Sequence, residues 1–289
     1  VAGDDAARGD VAMSSTGARG PLVYRQRLLT RVTHWAWAVS LFFLLLSGLQ
    51  IFMAYPELSL GRQSGFAYDN SVLEIGARQG PDGALVGVTD LFGWEIATTG
   101  LLGASGGEAR AFPSWATIPS YRDLATGRVV HFFFAWALFF TLLLWVVASL
   151  LNGHLRELIP TGRDLRALPG DVLDHARLRF HHARRYNVLQ KLSYAGVLFV
   201  LFPLIFLTGL SMSPSFNATA PWLLDVFGGR QTARTIHFLV MVLLVLFFVV
   251  HVLMIVLAGP LNELRSIVTG WYRIDPEGDA PDDPREAQP

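Results

Sequence analysis

The chemistry open to this chain rests on histidine. Its 289 residues hold eight histidines and no cysteine, which removes disulfides, thiolate iron–sulfur ligation and Cys-dependent attachment of a macrocycle. Any metal must be held by imidazole, oxygen or thioether. Four histidines, His34, His131, His237 and His251, fall inside or at the edge of strongly apolar stretches. A neutral imidazole in hydrocarbon needs a hydrogen-bond partner or a metal, so each is a functional candidate. An interhelical hydrogen bond would account for any single one. Four together ask for more.

His237 and His251 lie on one apolar stretch. On a helix the interval between them is about four turns, with an angular offset near 40° and a rise of roughly 21 Å. They share a face but not a depth. Metal–ligand bonds of about 2 Å cannot bridge such a gap, so the pair implies two centres, one toward each side of a membrane. Two haems suit that geometry and a single zinc does not.

Other chemistry finds no support. There is no Ser/His/Asp order, no G-x-x-x-x-G-K loop ending in Ser or Thr, and no H-E-x-x-H helix, which excludes the usual hydrolytic and phosphate-cradling machinery. The formal net charge is zero, so no global basic surface suggests nucleic acid. Hydrophobic residues make up 52% and charged residues 16%, with a positive mean hydropathy, a composition that points to a bilayer rather than a soluble enzyme.

Crossing a hydrocarbon core about 30 Å thick takes roughly 20 helical residues. Four segments qualify: Val32 to Ala54, Val129 to Leu151, Leu192 to Met212 and Ile236 to Ala258. The fold expected is an all-α membrane protein, a four-transmembrane-helix bundle over 21–274. Residues 1–20 are polar and Gly-rich with no apolar run, which predicts a disordered tail rather than a cleaved signal peptide, and 275–289 reads as a second tail. The basic loop at 152–188 carries Arg156, Arg163, Arg166, Arg177, Arg179, Arg184 and Arg185, and the entry to span one carries Arg25, Arg27 and Arg31. An excess of basic residues marks the cytoplasmic side, so both termini are expected there. The long loop at 55–127 then lies in the periplasm. Its Gly, Pro and aromatic residues predict a compact external structure, read as a docking surface or, more plainly, as a cap on the bundle.

Depth pairs the ligands. His34 opens span one from the inside, at the level that His251 reaches late in the inward-running span four. His131 opens span two from the outside, level with His237. The expected pairs are therefore His34/His251 for an inner haem and His131/His237 for an outer one. Arg31, Arg128 and Arg234 each precede a ligand by three residues, which puts a guanidinium one turn nearer water on the ligand's face. The helix dipole opposes a cation at an N-terminus, so a compensating anion is expected, and haem propionates would supply it. Interfacial snorkelling is the plainer account of each arginine. Gly48 follows His34 by the same interval that separates His251 from His237. It therefore falls at the outer level, where a missing side chain would admit a flat macrocycle. His154, His175, His181 and His182 sit in or beside the basic loop and read as solvated, with His154 a rival ligand for the inner centre.

These features resemble the di-haem cytochrome b subunits of formate dehydrogenases, nickel–iron hydrogenases and thiosulfate reductases, the bacterial cytochrome b561-like membrane subunits. The resemblance covers all four spans. It includes the single His opening spans one and two, the spaced His pair of span four and Ser47-Gly48-Leu49 ending span one. Arg185-Tyr186-Asn187-Val188-Leu189-Gln190-Lys191 is similar to a segment of the formate dehydrogenase subunit whose Asn lies at a quinone site beside the inner haem. The resemblance thus implies Asn187 as a contact for menaquinone or ubiquinone; on sequence alone it reads as a helix N-cap. The first loop, with Phe112-Pro113-Ser114-Trp115 and Leu124-Ala125-Thr126-Gly127-Arg128, is closer to thiosulfate-reductase-like members and cytochromes associated with molybdenum enzymes. What it all implies is a protein of the bacterial inner membrane. Its two haems b would carry electrons between membrane quinone and a periplasmic redox subunit of molybdopterin, iron–sulfur or hydrogenase type. A non-redox anchor would need no buried histidines. A transporter would show internal repeats or helices broken at mid-membrane, whereas only Pro203 interrupts a span here.

Overall fold

The computed structural model describes residues 20–65, 68–153, 155–177 and 187–274. Of the basic-loop residues read above as solvated or cytoplasmic, His154, Arg179, His181, His182, Arg184 and Arg185 lie outside the described residues, as do the side chains of Arg156 and His175 and both tails apart from Gly20.

Four spans are built as α1 (Leu28–Phe52), α2 (Leu124–Leu151), a third made of α5 and α6, and α9 (Arg230–Ala258). Each starts four to six residues before the apolar boundary expected from sequence. Side chains cap the leading turns of two of them: Asp123 accepts from the Thr126 amide at 3.0 Å, and Asn187 and Gln190 form a reciprocal capping box; α1 and α9 start after Arg27 and Gly229 without a side-chain cap. Between α2 and the third span lie α3 (Leu155–Leu158) and α4 (Gly162–Ala176). The third span is α5 (Val188–Gly196), a π-helical turn at Val197–Leu201, and α6 (Phe202–Met212). Pro203 cannot donate to the carbonyl four residues back and would clash with it, and the widened turn just ahead of it relieves both problems. Then come α7 (Pro214–Thr219), α8 (Trp222–Val226), α9 and α10 (Pro260–Thr269). Gly259, at φ 112°, makes the corner between α9 and α10, a conformation a side chain would strain.

The packing inverts the pattern of a soluble bundle. Thr33, Ser40, Ser47 and Gln50 of α1 and Thr208 and Ser211 of α6 are buried, while Val129, Phe133, Phe140, Leu246 and Val250 are exposed. Lipid solvates the large apolar side chains, and small or hydroxyl-bearing residues let helix backbones approach. At the centre, Leu138, Val197, Phe202, Val240 and Leu244 interlock.

The loop between α1 and α2 is not helical. After β1 (Leu22–Tyr24), which precedes α1, it supplies β2 (Glu57–Ser59), β3 (Ser71–Gln79), β4 (Leu85–Leu91) and β5 (Trp94–Ala97), an antiparallel four-stranded sheet in chain order. The short pair β6 (Ala104–Ser105) and β7 (Glu108–Ala109) follows. This sheet is seated on the bundle. Phe52 packs with Leu58, Ile75, Ala111 and Phe112, Thr235 donates to the Ser59 carbonyl at 2.8 Å, and Gln50 donates to the Tyr121 carbonyl at 2.9 Å. At the opposite end β1 pairs antiparallel with β8 (Trp271–Arg273), which ties the two ends of the described chain together.

Lys191 at the head of the third span bonds Asp164 of α4 at 3.0 Å. The Thr161 amide, the Thr161 hydroxyl and Lys191 draw the Asp164 carboxyl down to about 2. A depressed carboxyl stabilises fully above its ordinary value, and the contribution disappears only as pH falls through the folded value. Asp164→Asn should therefore lower the thermal midpoint in detergent by the same amount across pH 5 to 8, and a difference that vanishes anywhere in that range would contradict this.

Candidate metal centres

The bundle brings the four intramembrane histidines together two by two. His131 of α2 faces His237 of α9 with ring centres 6.4 Å apart and planes inclined at 56°. His34 of α1 faces His251 of α9 at 6.4 Å and 54°. An atom about 2 Å from a nitrogen of each ring would separate the centres by roughly two bonds and two ring radii, on the order of 6 Å. Each pair thus leaves room for one metal ion and no direct hydrogen bond. Among the described residues, no group of three or more His, Cys, Asp or Glu could hold a metal. A centre with only two protein ligands suits an ion whose remaining ligands come with it, as the four nitrogens of a macrocycle do.

The ring nitrogens turned away from each other are positioned in one way at the outer pair and in another at the inner. His131 Nδ1 meets Ser47 Oγ at 3.2 Å, with the Leu44 backbone as a further partner. His237 Nδ1 meets Thr208 Oγ1 at 3.0 Å, with the Ile205 backbone as a further partner. These bonds hold both rings and leave Nε2 for a metal. His34 Nδ1 is buried without a hydrogen-bond partner, and the His251 ring lies against Phe247 at 5.6 Å and 17°.

Gly48 and Gly209 explain how the outer rings fit. A Cβ on Gly48 would meet His131 Cε1 at 3.3 Å, and one on Gly209 would meet His237 Cε1 at 3.3 Å. In this structure the space beside Gly48 is occupied by the His131 ring. Leu46-Ser47-Gly48-Leu49 and Leu207-Thr208-Gly209-Leu210 are one motif used twice. Sequence reading found the first copy and missed the second, although the repeated L-[ST]-G-L pattern was there to be seen.

Arg31, Arg128 and Arg234, one turn from His34, His131 and His237, bond or stack on groups of the chain itself. Arg31 donates to the Val268 carbonyl, although its Nε is buried without a hydrogen-bond partner. Arg234 donates to the Tyr55 carbonyl and lies over the Phe52 and Tyr55 rings at 5.1 and 5.2 Å. Arg128 lies 5.7 Å over the Phe132 ring. Carbonyl oxygens supply part of the negative charge expected beside these cations. Asn187 caps α5, accepting from the Gln190 amide at 2.8 Å.

A match to the family model for prokaryotic cytochrome b561 runs from residue 25 to 270. The chain belongs to that family. A relative from Azospira oryzae, provisionally named protein-methionine-sulfoxide reductase subunit YedZ1, is 28% identical over 237 residues, covering 78% of this chain and 87% of its own length. As a prokaryotic cytochrome b561, the protein is a multi-pass component of the bacterial inner membrane, an electron-transport subunit that binds haem b.

Valine at position 48 or 209 must push a histidine ring aside. Gly48→Val and Gly209→Val should each diminish the b-type absorbance of the purified cytochrome, whereas Thr208→Val, which keeps shape and loses the hydroxyl's hydrogen bonds to its own helix and to His237, each worth about 1 kcal/mol, should retain it with lower thermal stability. Full absorbance in both glycine variants would show that the rings do not depend on this contact.

Proposed function

We propose that this cytochrome holds two haems b, one between His131 and His237 and one between His34 and His251, and relays electrons between a periplasmic redox subunit and membrane quinone. The observation that carries the reading is the pair of equal 6.4 Å ring separations at two levels of the bundle. Haem supplies the one-electron chemistry, and the chain supplies its axial nitrogens, orientation and surroundings. Ser47 and Thr208 fix the outer rings. Arg31, Arg128 and Arg234 stand one turn from ligands, where they would bond propionates, and the partnerless Nε of Arg31 is a donor left for that purpose.

The quinone site is assigned to the His34/His251 end. An apolar groove of about 320 Å³ lies beside the π-helical turn, lined by Leu192, Gly196, Val197, Val200, Leu201 and Phe247. Phe247 is the residue that lies on His251, and Asn187 begins the helix that forms the other wall. Apolar lining suits an isoprenoid tail, and a π turn is a frequent mark of a functional site. This end would face the cytoplasm with both termini. The sheet of β2 to β5 would then face the periplasm and dock the redox subunit. The name of the Azospira relative suggests a sulfoxide reductase as that subunit.

The purified cytochrome should show a reducible b-type spectrum with two components. His131→Ala or His237→Ala should remove one component and His34→Ala or His251→Ala the other. Loss of the same component from a His34 and a His237 variant would refute the pairing, and a single haem per chain would refute the count.

A further inference from the structure

Two helices outside the spans present their apolar residues outward. α4 follows the second span and α10 follows the fourth, and both stand at the end of the bundle where α5 begins and α9 ends. Each carries the same stripe. Leu165, Leu168 and Val172 in α4 and Leu261, Leu264 and Val268 in α10 share the spacing L-x-x-L-x-x-x-V, which lines one face of a helix. A helix on a soluble surface buries such a face against the core. Here Leu165 and Val172 are 52% and 47% exposed, and Leu261 and Val268 are 81% and 52% exposed.

The polar residues of both helices are the ones that meet the protein. In α4, Lys191 donates to Asp164 at 3.0 Å, and the Val188 amide donates to Asp171 at 2.8 Å. In α10, Asn262 donates to the Arg273 carbonyl at 2.8 Å, Glu263 accepts from Tyr272 at 3.0 Å, and Ser266 is buried. Polar residues inward and apolar residues outward is the inversion already seen in the spans, and it calls for an apolar medium outside. The two ties also set the tilt of α4. Asp164 and Asp171 stand about 10 Å apart along α4, whereas Val188 and Lys191 stand only about 4.5 Å apart along α5. α4 therefore crosses the head of the third span obliquely, as a helix lying in an interface does. Gly259 turns the chain between α9 and α10 in the same way.

We propose that α4 and α10 lie in the bilayer interface, with their stripes at the boundary between headgroups and acyl chains, and that Arg163, Arg166, Arg177 and Arg265 hold the phosphates of anionic phospholipid. These four arginines have no ion-pair partner among the described residues, and cationic side chains beside an exposed apolar face are the composition of an interfacial helix. The occupant is the bilayer because each stripe continues a lipid-facing span: Leu150 and Leu151 end α2 exposed, and so do Val256 and Leu257 near the end of α9. Trp271 and Tyr24, half-exposed and packed edge-on at 5.5 Å, add an aromatic pair of the kind that sits at the same depth. Since α10 also packs on α1 and α9, the headgroup layer clamps the end of the bundle that carries His34 and His251.

The chain has no cysteine, so single nitroxide labels can be placed in the full protein in vesicles of phosphatidylcholine and phosphatidylglycerol. Labels at Leu165→Cys and Leu261→Cys should be relaxed by oxygen, which concentrates in lipid, and spared by a water-soluble nickel complex. A label at Ala167→Cys, on the opposite side of α4, should show the reverse. A stripe label that meets nickel as freely as the one at position 167 overturns the inference. An immobilised stripe label reached by neither reagent overturns it too, and assigns the face to a second copy of the chain. Spin-labelled phosphatidylglycerol should be retained at the protein about fivefold more strongly than phosphatidylcholine. Arg163→Gln, Arg166→Gln, Arg177→Gln and Arg265→Gln together should bring that ratio down, and an unchanged ratio overturns the headgroup contact.

Discussion

A hydrocarbon layer offers no hydrogen bonds, and that constraint organises most of this molecule. Every polar group carried into the bilayer must find its partner within the protein. Ser47 and Thr208 satisfy it twice over, each bonding a carbonyl of its own helix and a histidine of the next. The exceptions then become informative. His34 Nδ1 and Arg31 Nε, one turn apart on α1, are among the buried polar atoms without a hydrogen-bond partner, and Trp37 Nε1 of the same helix is another.

The extramembrane parts make the bundle rigid at its two ends by different means. On one side the sheet's core continues into the spans through Phe52 and Phe238. On the other, β1 and β8 pair across nearly the whole length of the chain. Both arrangements hold the ends of α1 and α9, the helices that carry three of the four intramembrane histidines. The placement of these histidine rings thus depends on contacts outside the membrane as well as within it.

Much of this was legible from the sequence, and the limits have physical causes. Apolar length gave the four spans, and the interval from His237 to His251 in α9 gave two depths, because both depend only on helix geometry. The starts of α2 and of the third span were placed too late because Asp123 and Asn187 cap their first turns. The sheet was not anticipated: β2 is three residues long, and β3 and β4 mix glycine and charge with apolar residues, so no clean alternation appears. Thr208 and Gly209 passed unnoticed because a threonine beside a glycine in a membrane helix is ordinary until the histidine it touches is known.

The repeated L-[ST]-G-L motif relates the two halves of the bundle, with α1 and α2 matching α5–α6 and α9. His131 and His237 occupy equivalent places under that relation. Their counterparts one depth below do not: the interval that leads from His237 to His251 leads from His131 to Trp145. Trp145 is buried, packed edge-on against Trp37 at 5.6 Å, and closes the position that a duplicated ligand would have filled. The His131/His237 pair is therefore drawn from equivalent places in the two halves, whereas the His34/His251 pair is drawn from α1 and α9 alone. With Trp145 in α2 and Ala195 in α5 at the places that correspond to His251 and His34, the doubled plan carries a histidine pair on one flank of the bundle and none on the other.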